Sequence, residues 1–69
     1  MNIENVQVGT TLIPRWETTP IEVRRGSGIV CIGVEEKGFR FRRLHPNYNG
    51  EEFTLNRHAL ETSQWDYDV

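Results

Sequence analysis

Cysteine is nearly absent from this 69-residue chain: Cys31 stands alone, so no internal disulfide can form. A secreted domain of this size would usually carry several disulfides. The opening Met1-Asn2-Ile3-Glu4-Asn5 is polar and acidic and does not read as a signal peptide. No apolar run approaches the length of a membrane span. These absences point to a reducing, cytoplasmic setting with no membrane partner. A Gly-rich phosphate loop is missing too. Arg25-Gly26-Ser27-Gly28 leads into a strand-like stretch, whereas phosphate loops lead into a helix. The soft ligands Cys31, His45 and His58 lie 14 and 13 residues apart, without the close pair a zinc site needs. No metal, cofactor or catalytic constellation is expected, and the chain does not read as an enzyme.

What is present fits one small folded domain spanning residues 1–69. Hydrophobic residues make up 36% of the chain and charged residues 26%, a balance that suits a globular domain better than a disordered one. So short a chain buries little apolar surface, so stability is thin unless a partner or self-association adds to it.

The net charge of −2 does not favour steering toward nucleic acid, but the charges are unevenly placed. Residues 15–43 hold seven cations against four acids, whereas residues 44–69 hold one cation, Arg57, against five acids. Seven of the eight cations are arginine, the side chain suited to bidentate contact with carboxylate or phosphate.

The dominant period is two. Residues 6–16 read as a first strand, with Pro14 marking an edge or bulge and Leu12 sharing a face with Trp16. Residues 17–20 form a turn, and Ile21 and Val23 alternate with Glu22 and Arg24 as a short extended arm. Ile29 to Glu35 is the strongest strand, rich in β-branched residues. A hairpin turn over Glu36-Lys37-Gly38, with Gly38 free to take positive φ, leads into a strand over 39–44. Pairing Val34 with Phe39 sets Ile32 opposite Phe41, Val30 opposite Arg43, Gly33 opposite Arg40 and Cys31 opposite Arg42. Residues 45–50 form a loop, and Phe53 and Leu55 anchor a fourth strand. Asn56 to Leu60 makes one helical turn with Leu60 inward, and Trp65, Tyr67 and Val69 alternate with Asp66 and Asp68 in a last strand.

This element order resembles the SH3-like small barrel, a group of folds that includes the KOW and Tudor modules. Val8-Gly9 opens the first strand and Leu55 to Leu60 bridges the last two. The resemblance implies a mostly β fold of five strands with one helical turn before the last, which pairs with the first. An OB-like barrel is the rival architecture. Neither the SH3 aromatic-acidic signature for proline-rich peptides nor an intact KOW motif is present.

Two surfaces stand out. Arg40 and Arg42 project from one face of their strand, with Phe39 and Phe41 on the other. Arg15, Arg24 and Arg25 extend this basic surface, and Trp16 and Tyr48 offer stacking rings. A paired alternative sets Arg42 against Glu52, an exposed ion pair contributing only ~0–1 kcal/mol. The second surface is acidic: Glu61, Asp66 and Asp68. Trp65 and Tyr67 read as core, and Trp16 as the exposed tryptophan. The leading expectation is a non-enzymatic module that binds a protein partner. It would suit a small regulator or inhibitor, such as a phage or mobile-element accessory protein. The runner-up is a nucleic-acid-binding barrel using the arginine face.

Overall fold

The alternation Phe39-Arg40-Phe41-Arg42 is enough to fix one strand, and in a computed structural model of the protein the sheet is built around it. The structure describes residues 1–48 and 50–69. Five strands form one antiparallel sheet: β1 (Thr11–Pro14), β2 (Ile29–Val34), β3 (Gly38–Arg43), β4 (Glu52–Asn56) and β5 (Trp65–Tyr67). Their order is β4-β3-β2-β1-β5, so the last strand does pair with the first. Two short helices, α1 (Ile21–Gly26) and α2 (Arg57–Glu61), and a 3₁₀ turn at Pro46–Tyr48 complete it. Among the described residues no ladder joins β4 to β5, so the sheet stays open rather than closing into a barrel. No described helix is long and apolar enough to cross a membrane.

The inner face carries the core. Leu12, Ile29, Cys31, Phe39, Phe41 and Leu60 are essentially solvent-free, and Phe53, Leu55, Trp65 and Tyr67 pack around them half-buried. A fully buried Leu or Phe stabilises by roughly 1.5–3 kcal/mol. Leu60 reaches the core because Asn56 caps α2, accepting a hydrogen bond from the Ala59 N–H at 2.7 Å. The N-terminal residues cover the same face. Val6 is buried, the Met1 amine donates to the Glu61 carbonyl, and the Tyr67 hydroxyl donates to the Asn2 carbonyl at 2.7 Å.

The last strand is shorter than expected, ending at Tyr67 with Val69 beyond it and exposed, and four further expectations need correction. First, β1 is four residues long and does not run from 6 to 16. Gly9 takes φ +96° and the Thr10 N–H donates back to the Gln7 carbonyl, so the chain turns where an extended arm was expected. Leu12 is buried, while Trp16 lies beyond the strand end and is exposed.

Second, residues 21–26 are helical. The N–H groups of Val23 and Arg24 both donate to the Pro20 carbonyl. Glu22 lies in the first turn and Arg24 and Arg25 in the last, charges that complement the helix dipole. Four alternating residues were too few to separate the two periods.

Third, the β2–β3 register is as expected only at its turn end, where Val34 pairs Phe39 and Gly33 pairs Arg40. A bulge then leaves Ile32 without a partner, and Cys31 pairs Phe41, Val30 pairs Arg42 and Ile29 pairs Arg43. Cys31 and Ile29 are thereby turned into the core. Cys31 therefore does not lie beneath the arginines.

Fourth, Gly38 has no positive φ. It is needed because β3 and β4 approach closely there: a Cβ would strike the Leu55 carbonyl oxygen and lie 2.8 Å from Asn56 Cα.

Candidate binding groove

The outer face of β3 carries Arg40 and Arg42 as alternation requires. Arg40 stands between Gly33 and Thr54, and Arg42 between Val30 and Glu52. Arg42 Nη2 donates to Glu52 Oε2 at 3.2 Å, so the paired alternative for this residue is realised. Arg40 makes no ion pair among the described residues.

Arg15, Arg24 and Arg25 instead lie toward β5 and the residues just after it. Arg15 donates from Nε and Nη2 to Asp66 Oδ1, at 3.0 and 2.7 Å. Those hydrogen bonds hold the Asp66 carboxyl below its ordinary range and raise the Arg15 guanidinium. Arg25 Nε donates to Asp68 Oδ1 at 3.0 Å. Arg24 adds its field to Asp66 and lines a surface hollow with Ile13, Ile21 and Tyr67. Asp66 and Asp68 are thus engaged with the basic residues once grouped with the stripe. Glu61 stands on α2, without an ion pair among the described residues.

Trp16 and Tyr48 are brought together, but away from Arg40 and Arg42. They line a groove of about 660 Å³ at one rim of the sheet, with Pro14, Trp65, Arg43 and His45. The strand ends explain its position. The β1–β2 ladder stops at Leu12 and Ile29, and Pro14 has no N–H with which to continue it. Gly28, on the far wall, is held tightly: a Cβ there would lie 2.9 Å from the Leu12 carbonyl oxygen. β1, β3 and β5 reach this rim through Pro14, Arg43 and Trp65, and Gly28, just before β2, joins them.

Each wall has its own support. The Arg43 guanidinium lies over the Phe53 ring at 4.6 Å and the Tyr48 ring at 5.1 Å, and its Nε donates to Glu51 Oε1 at 3.3 Å. His45 meets Tyr48 edge-on, with ring centroids 5.5 Å apart. Its Nδ1 accepts the Asn47 N–H at 3.1 Å. Trp16 and Tyr48 remain half exposed, at 48% and 51%. Trp65 is half-buried and touches the core as well as the groove.

Sequence reasoning did not find Arg43, His45 or Trp65 as groove residues. For Arg43 a signal existed: it shares strand parity with Phe39 and Phe41, so it had to emerge at the end of the inner face. His45 and Trp65 depend on which loops meet, which no local pattern records.

Cys31, His45 and His58 lie in three different places: the first is buried in the core, the second lines the groove and the third lies on α2. Among the described residues, no three of His, Cys, Asp or Glu converge as metal ligands. Comparison with protein-family models, curated proteins and solved structures gives no match.

Proposed function

We propose that this protein is a non-enzymatic interaction module that holds a segment of a partner protein in the rim groove. One observation carries the reading: Trp16, Tyr48 and Trp65, from three separate parts of the chain, converge on one concavity with two of the rings half exposed. Exposed aromatic rings in a concave site are the usual anchors of protein recognition. They offer a large contact area with few rotamers to freeze. The strand order, with α2 between β4 and β5, supports placing this site on an SH3-like scaffold. A lone buried thiol fits a reducing compartment, and the small size fits a regulator or inhibitor.

The test is selection of a displayed random peptide library against the wild-type protein, followed by counter-screening with Trp16→Ala/Tyr48→Ala. Enriched peptides should lose most of their binding to the double variant while its circular dichroism is unchanged. Equal binding to both proteins would remove the groove from the reading.

A second reading keeps one specific observation. Arg40 faces Gly33 and Thr54, with no carboxylate opposite it in either ladder. A nucleic-acid backbone bound there would show affinity that falls steeply with salt and falls again in Arg40→Ala/Arg42→Ala.

A further inference from the structure

We propose that the groove selects an acidic segment that carries an aromatic side chain, resting on the reading of the groove as a peptide site. The reason is an imbalance in its polar lining. Among the described residues no aspartate or glutamate lines it, while Arg43 and His45 do.

Arg43 is held for this role. Its Nε is engaged by Glu51, and its plane is braced by Phe53 and Tyr48. The Nη groups make no hydrogen bond among the described residues. A guanidinium fixed this way presents a fork that a carboxylate can accept from two N–H groups at once.

His45 points to the same choice. Because Nδ1 accepts the Asn47 N–H, the neutral ring carries its proton on Nε2 and offers a donor. Neither Trp16 nor Trp65 has an indole N–H bond among the described residues. The groove therefore offers donors beside ring faces. A basic side chain would meet the ring faces but also the Nη side of Arg43, whose acidic partner Glu51 is engaged at Nε and does not line the groove. An acidic residue next to an aromatic one would satisfy both features.

The net charge of −2 gives no long-range attraction for an acidic peptide, so recognition is short-range. Salt should weaken it only modestly, unlike a polyanion that releases many counterions.

The experiment uses short fluorescein-labelled peptides with a central Phe-Asp, Phe-Lys or Ala-Asp pair, and an oligothymidylate as the polyanion control. Anisotropy titrations are run with wild type, Arg43→Met, Arg43→Lys and Trp16→Ala/Tyr48→Ala, each checked for folding by circular dichroism. Phe-Asp should bind best, with each swap weakening it roughly tenfold. Arg43→Met should erase the preference for Asp over Lys, and Arg43→Lys should restore only part of it. Phe-Lys binding as well as Phe-Asp, with both lost in the ring double variant, would overturn the charge assignment and leave the groove standing. Peptide binding insensitive to the ring double variant would overturn both. Oligothymidylate as the tightest, most salt-sensitive ligand would overturn the peptide assignment in favour of nucleic acid.

Discussion

Asp66 stands opposite Ile13 in the β1–β5 ladder and takes two hydrogen bonds from one guanidinium, that of Arg15. The pair ties the residue that follows β1 to the middle of β5, across 51 positions of sequence. Its contribution depends on Asp66 being ionised. The folded carboxyl titrates below its unfolded value of about 3.9. Stability from this pair is therefore complete above that value and is lost as pH falls through the depressed folded value. Urea midpoints should drop as pH falls below about 4, and Asp66→Asn should flatten part of that drop. High salt should shrink the difference between the two proteins, since the pair is exposed. Identical acid profiles for both proteins would refute the linkage.

Gly38 and Gly33 offer a matched pair of substitutions. An alanine Cβ at 38 meets the backbone of Leu55 and Asn56, which cannot rotate away. At 33 the nearest atom is Arg40 Cβ, at an ordinary 3.7 Å. Gly38→Ala should destabilise by about 2 kcal/mol or more and Gly33→Ala by less than about 1 kcal/mol, read from chemical denaturation. Equal effects would mean that the β3–β4 approach is looser than the structure has it.

Cys31 tests the bulge at Ile32. With that bulge the thiol lies in the core, donating to the Gly33 carbonyl at 3.5 Å, and burial pushes its pKa up. Iodoacetamide should leave native protein almost unmodified and label it readily in denaturant, followed by intact mass. Rapid labelling under native conditions would place Cys31 on the outer face, as an unbulged hairpin has it.

The parts of the fold written in local alternation were legible. β3 and β4 follow from side-chain parity, and the helical turn that tucks Leu60 inward was expected where α2 stands, although its cap at Asn56 is seen only in the structure. The pairing of Phe41 with Phe53 and of Arg42 with Glu52 follows from the same parity. The bulge was not legible. Val30, Cys31, Ile32 and Val34 all suit a strand, so the sequence tolerates either register until Phe41 and the core choose. The helix at 21–26 was hidden for a similar reason: what holds it is the Pro20 carbonyl, packing against β1 and the Arg25–Asp68 pair, with no long apolar stripe to mark it.

The site divides along the same line. Arg40 and Arg42 were visible because they sit on one strand. Trp16 and Tyr48 were visible singly as rings on turns. Their meeting with Trp65 and Arg43 depends on where four strands end, and strand ends are set by the tertiary ladder.

The pairing of β1 with β5 also shapes how the chain acquires its structure. The β2–β3–β4 meander rests on neighbours in sequence and can form early. β1 gains its second partner only when residues 65–67 arrive. Closing so long a loop is entropically slow compared with forming a hairpin. On a translating ribosome the groove would therefore be incomplete until Trp65 emerged from the exit tunnel. A nascent chain would have Trp16 and Tyr48 displayed without the third ring, so the groove would be assembled in one late step.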